Sequence, residues 1–341
     1  MNCQNYKPQR KSSSKHTLLI GSPSKNSSSE KGKGINFPFF LVVNKEKMME
    51  HLGTNPYIEV RRTNLSDEDM INCPNIKAVQ INREKTRKNS DGETISFNEW
   101  DTIGQVSKSY NLVKNATIKE YAEEVVPNDF TLDRTWFDGR RFMLSYISDT
   151  IEGEVIGDPI AMGIQFWNSY DGSRRFGFNI MLYNLVCLNG MTSKTLFDTY
   201  NFKHNNESNI DKFKEELGRV GESIIESKAN KVPDMLKGLN ALTGIDMTMD
   251  NFSEFRKEYL PYMPKNNFCS ILDEFIETRQ QKGNSAWTLL NAGTKTLWKP
   301  ESKKSVTNQD YVHNTTWCDA MLMFAVEKGN TLIPSISKDV W

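Results

Sequence analysis

Between residues 136 and 188 the chain alternates. Phe142, Leu144 and Tyr146 fall on every second position, as do Ile160, Met162, Ile164 and Phe166, and Phe176 and Phe178 continue the rhythm behind Arg174. A period of two marks strands that turn one face to a core. The spacing predicts strands over 140–148, 159–168 and 172–178. Asn168-Ser-Tyr-Asp-Gly-Ser173 supplies the turn between the last two, because Asn, Asp, Gly and Ser favour tight reversals. The result is an antiparallel meander. The apolar run 180–188 comes next; it reads as a buried strand or as the first turns of a buried helix, and periodicity leaves both open.

Upstream, 57–62 and 76–82 are short β-prone runs. The polar stretch 85–93, with its Asp91-Gly92 step, reads as a hairpin tip, and 103–113 as strand-turn-strand. A short helix is predicted over 117–126, capped by Thr117 and ended by Pro127. From about residue 208 the period changes. Ile210, Phe213, Leu217, Val220 and Ile224 recur every three or four positions behind Ser208-Asn-Ile-Asp211, which resembles a capping box. Further helices are expected near 232–243, 251–260, 267–282, 285–298 and 316–328, punctuated by Pro261, Pro264, Gly283 and Pro300. A sheet-rich front and a helical rear give an α+β fold, with an antiparallel β-meander core and a helical C-terminal half. The expected organisation is a disordered basic arm over 1–34, an α+β sheet-rich domain over 35–200, and a helical region over 201–341 packed on or extending it.

Composition adds a polarity to this picture. The 341 residues carry no net charge. Yet residues 1–34 hold Lys7, Arg10, Lys11, Lys15, Lys25, Lys31 and Lys33 against Glu30 alone, so the rest is acidic by the same margin. That balance does not suit a protein coating duplex DNA with its whole surface, but it leaves room for a local basic groove. The arm reads either as a solubilising tail or as an electrostatic tether to nucleic acid. Eighteen Phe, 11 Tyr and 7 Trp require that the bulk of the chain fold. The 5 Cys are widely spaced without a C-x-x-C pair. Reduced thiols in a cytosol are expected rather than disulfides or structural zinc, with Cys187 as a small core residue. No secretory signal and no membrane span is legible, so the expected location is the cytoplasm.

Chemistry is sparse. No phosphate-binding loop, dinucleotide fingerprint, zinc-protease motif or nucleophile elbow occurs. His16, His51, His204 and His313 lack metal spacing. The expectation is no cofactor, no metal and no catalytic residue, which favours a non-enzymatic role. Glu152 with Glu154, in an expected hairpin loop, and Glu215 with Glu216, on a charged helix face, read as solvated surface rather than as a paired-carboxylate site. The combination of cations and aromatics around one turn is more suggestive. Arg140, Arg141, Arg174, Arg175 and Lys203 would contact phosphates, Trp167 and Tyr170 would stack on bases, and His204 adjoins them. The same residues also fit an ordinary sheet, aromatics inward and arginines outward.

These segments, in order, resemble the phage- and plasmid-associated family catalogued as domain of unknown function 932. Gly104-Gln-Val-Ser-Lys-Ser-Tyr-Asn-Leu-Val-Lys-Asn115 is similar to its early segment and Gly139-Arg-Arg-Phe-Met-Leu-Ser-Tyr146 to its Gly-Arg strand. Asn168–Ser173 resembles its turn Asn-Ser-His-Asp-Gly-Ser, with Tyr170 in place of the usual His. Leu185–Gly190, Phe202–His204 and Ser285–Ala292 are similar to its later elements. The resemblance spans about residues 101–298. It implies an accessory protein of phage or plasmid DNA metabolism in a bacterial host. A meander followed by a helix also looks like the core of ring-forming phage annealing proteins. Two expectations follow: a protein binding single-stranded DNA and annealing strands as a homo-oligomer, or a non-enzymatic protein acting on a host replication or defence factor.

Overall fold

A computed structural model of the protein describes residues 55–65, 75–185, 189–193, 197, 199–205, 208–298 and 308–329. The expected arm over 1–34, Cys187 and the end of the run 180–188 lie outside the described residues. Leu52–Trp341 forms one compact unit. Within it, the described residues build an α+β fold of two antiparallel sheets and a helical C-terminal half.

The first sheet has the order β1 (Val60–Thr63), β2 (Ile76–Lys88), β3 (Thr94–Ser107). Its hairpin tip is shorter than the sequence predicts. The strands run on to Lys88 and resume at Thr94, and Lys85 pairs across them with Glu99 and Asp101, both at 2.7 Å. Asn89 closes the reversal: its Oδ1 accepts from the backbone of Asp91 at 3.0 Å and of Glu93 at 2.8 Å. The expected second strand after residue 107 does not form. Tyr110 and Val113 are buried as side-chain anchors of an irregular segment, which explains their apolar spacing without a ladder.

Helix α1 (Asn115–Val125) starts two residues earlier than predicted. Thr117 does not cap it. The Asn115 N–H donates instead to the Tyr170 hydroxyl at 3.0 Å, so a residue from the sheet satisfies an orphan donor of the first turn. The helix stops before Pro127 as the sequence predicts.

The second sheet follows the order β4 (Phe130–Phe137), β5 (Arg141–Val155), β6 (Asp158–Ser169), β7 (Phe176–Asn184), β8 (Asn189–Met191), and β9 (Thr199–Phe202) also pairs with β7. β4 was not resolved as a separate strand by the alternation. The alternating set Phe142, Leu144, Tyr146, Ile160, Met162, Ile164, Phe166, Phe176 and Phe178 faces the main core. The opposite face is buried as well: Gly163, Gln165 and Trp167 of β6 and Gly177, Asn179 and Met181 of β7 are all shielded from solvent. The run that periodicity left open continues β7 as a strand through Asn184.

The helices are α2 (Ser208–Gly218), α3 (Val220–Glu226), α4 (Val232–Thr243), α5 (Met249–Tyr259), α6 (Lys265–Lys282), α7 (Ala286–Trp298) and α8 (Asn308–Lys328). Phe213, Leu217, Val220 and Ile224 enter the same core as the meander, as their spacing predicts. A π-helical turn at Ser227–Lys231 joins α3 to α4, and Lys228 ties it to Glu152 of β5 at 3.1 Å. Buried polar pairs stitch the helices to the sheet and to the segment after β8: Asn184 donates to Asn291 at 3.1 Å and Ser193 to Asp319 at 2.6 Å. Among the described residues, no helix is long and apolar enough to cross a membrane.

Candidate functional site

The β4–β5 and β6–β7 turns lie at the same end of the second sheet, since Arg141 pairs with Ser169 and the Tyr170 N–H donates to the Arg140 carbonyl at 2.7 Å. The first sheet reaches this end. Its Gly104 lies against Asp171, where a Cβ would come within 2.7 Å of the aspartate Cβ. The chain after β3 also returns here, and the Tyr110 hydroxyl donates to the Ser169 carbonyl at 2.8 Å.

Every side chain of the Asn168–Ser173 turn has work in this seam. Asn168 Nδ2 donates to the Val113 carbonyl at 2.8 Å and to Asn115 Oδ1 at 2.9 Å. Asn115 Nδ2 passes the connection on to the Pro56 carbonyl at 2.8 Å. Ser169 Oγ donates to the Arg174 carbonyl at 2.7 Å and accepts from its N–H at 3.0 Å, which delays β7 to Phe176. That bridge is why the strand expected from Gly172 begins later. Asp171 accepts from the Ser173 N–H at 3.0 Å, and Gly172 takes the left-handed backbone at φ 73° that its position needs. Buried polar groups must be paired, and the turn's composition meets that demand.

The residues read as base stackers are packed inside. Trp167 is 0% and Tyr170 1% exposed. The register puts them on opposite faces: Trp167 lies across from Gly177 on the face away from the main core, and Tyr170 belongs to that core beside Phe137. A ring that solvent does not reach offers no face to a base, so these two are structural in this conformation. His204 is buried too, stacked on Tyr110 with centroids 4.7 Å apart. Its Nδ1 lies 3.2 Å from the Asn111 carbonyl. Burial pushes its pKa down to about 4, against an upward pull from the Asn111 and Arg174 backbone and the charge of Asp171.

The cations divide into two groups. Arg141 Nε donates to Ser173 Oγ at 3.1 Å, and the Arg174 guanidinium lies 4.6 Å over the Trp167 ring, so both are held by the turn. Arg140, Arg175 and Lys203 are exposed, and no ion pair to a described residue holds any of them. They come from three places in the sequence. Arg140 precedes β5, and Arg175 and Lys203 flank the Phe176–Phe202 pair of β7 and β9. The nearby carboxylates Asp138 and Asp171 are turned to backbone N–H groups, Asp138 accepting from Arg140 and Arg141 at 2.8 and 2.7 Å. The result is an exposed basic rim on a base stitched by polar contacts.

The acidic pairs stay separate from this rim. Glu152 and Glu154 lie within strand β5 rather than in a hairpin loop, and the Glu152 carboxylate is paired with Lys228. Glu215 and Glu216 are both engaged by Arg219 on the surface of α2 and its C-terminal turn. Glu254, Glu258 and Glu327 gather between α5 and α8, where Lys328 pairs with Glu254 at 2.6 Å. Sequence reasoning picks out Gly104, Tyr110 and Asn115 only as part of the family's early segment; their roles in the seam depend on contacts across more than fifty residues of chain.

The family model described as "Domain of unknown function (DUF932)" matches residues 102–317, well over half of the chain. The match begins in β3 and ends in α8, so it takes in the seam, the meander and most of the helical half. No curated protein and no solved structure matches the chain.

Proposed function

We propose that this chain, which belongs to the family of domain of unknown function 932, binds single-stranded nucleic acid as an accessory protein of phage or plasmid DNA metabolism. The observation that carries this reading is the exposed rim of Arg140, Arg175 and Lys203, cations without ion-pair partners among the described residues. Exposed cations on a fixed base draw phosphates by counterion release, and a short row of them suits a flexible single strand better than the broad face of a duplex. Arg141 and Arg174 sit behind the rim and add to its potential. Trp167 and Tyr170 are left out of the binding surface because they are buried. Strand annealing and self-association extend this reading, since a strand held by its phosphates keeps its bases free to pair.

The direct test titrates the full chain into labelled oligothymidylate at several salt concentrations. The expected result is binding whose log affinity falls linearly with log salt, and weaker binding to a duplex of equal length. Folded protein that leaves the oligonucleotide free at low salt would overturn the reading. Recovery from a bacterial host of one stoichiometric protein partner that resists nuclease treatment would favour action on a host factor instead, the role for which the acidic remainder of the chain speaks.

A further inference from the structure

The outer part of the β2–β3 hairpin is a ribbon with no flanking strand among the described residues. β1 pairs only with Ala78–Ile81, whereas the hairpin pairing continues from Asn82–Trp100 to Lys88–Thr94. Directly opposed residues of an antiparallel pair share a face. One face of this ribbon therefore carries Arg83, Lys85 and Arg87 on β2 and Ile95, Phe97 and Glu99 on β3. Two large apolar side chains stand in water there, Ile95 at 37% and Phe97 at 38% exposure. The Arg87 guanidinium lies over the Phe97 ring, 5.3 Å from its centroid.

The inner end of that face adjoins the residue before Arg140. Its inner residue Arg83 lies against Gly139, the neighbour of Arg140. Further out, Lys85 is engaged by Glu99 and Asp101, but no carboxylate among the described residues pairs with Arg87. The ribbon thus offers a partly exposed ring and, over it, a guanidinium without a carboxylate partner among the described residues. A phenyl ring beside a cation suits a nucleotide, whose base stacks on the ring while its phosphate meets the charge.

We infer that Phe97 and Arg87 form a base-stacking subsite for single-stranded nucleic acid, continuous with the Arg140–Arg175–Lys203 rim. The inference rests on the proposed function and supplies the aromatic contact that Trp167 and Tyr170 do not. Phe97 is exposed, so its replacement leaves the core untouched.

The test compares variants of the full chain by anisotropy with labelled oligothymidylate, alongside sedimentation of the free proteins. Phe97→Ala is expected to weaken binding by about 5- to 150-fold with an unchanged salt slope, and Phe97→Trp to retain it. Arg87→Gln is expected to lower the salt slope by about 0.7. If Phe97→Ala and Arg87→Gln bind like the natural chain while replacement of the rim cations weakens binding, the subsite is wrong and the rim reading stands. If the natural chain itself does not bind, both fail together. If Phe97→Ala instead dissolves self-association and spares binding, the ribbon is an interface between copies and the inference is overturned.

Discussion

His204 and Asn168 show what a buried polar side chain commits the fold to. The His204 ring is held neutral, with its pKa lowered from 6.5 to about 4 by burial. An unfolded chain therefore binds a proton more readily than the folded one between those values. The ring's contribution to stability is complete above pH 6.5 and declines as pH falls toward about 4, by up to on the order of 3 kcal/mol. Urea unfolding across that interval should show this loss, and His204→Phe should remove that component; an identical pH profile in the variant would contradict it. Asn168 donates to two buried acceptors, Val113 and Asn115. Asn168→Ala leaves both unpaired and is expected to cost about 2–4 kcal/mol in urea unfolding, with a loss below about 1 kcal/mol contradicting the account.

At the level of elements, the hairpins carry the sequence's clearest signals and its clearest misreadings. Period-two alternation placed β5, β6 and the core face of β7 because the main core selects every second residue. It said nothing of β4, and it did not reveal that the opposite face, with Gln165 and Trp167, is buried as well. The aromatic-basic clustering around Asn168–Ser173 is legible in the sequence, and the register places Arg140, Arg175 and Lys203 at the same end of the sheet. Which aromatics face solvent was not legible, because burial of Tyr170 depends on Phe137 and Asn115, from other parts of the chain. Gly104 is the sharpest case: the family's early segment begins with it, but nothing local shows that Asp171 leaves no room there for a side chain. Gly104→Ala should destabilise by about 1–3 kcal/mol, read by thermal or urea unfolding. The β5–β6 connection holds the reverse opportunity. Ile156 sits at φ 50° before Gly157 at φ 77°, a conformation that costs a β-branched residue and suits Asn. Ile156→Asn should raise stability by about 0.5–1 kcal/mol, and a loss instead would show that the exposed isoleucine has a role of its own.

For the whole molecule, buried hydrogen bonds tie one end of the meander to the first sheet and to α1. The seam brings residues near 56, 104, 110, 115 and 168–174 together, and from it the rim cations project. Under the proposed function, the acidic balance of the chain outside residues 1–34 would confine attraction for phosphates to such local patches. The central claim is that Arg140, Arg175 and Lys203 form a phosphate-binding rim. Its most direct test is the salt dependence of oligothymidylate binding by the natural chain and by the combined Arg140→Gln, Arg175→Gln, Lys203→Gln variant. Each lost phosphate contact should lower the slope of log affinity against log salt by about 0.7, so the account predicts a slope lower by about 2 and much weaker binding at low salt. Equal affinity and equal slope in the two folded proteins would contradict it.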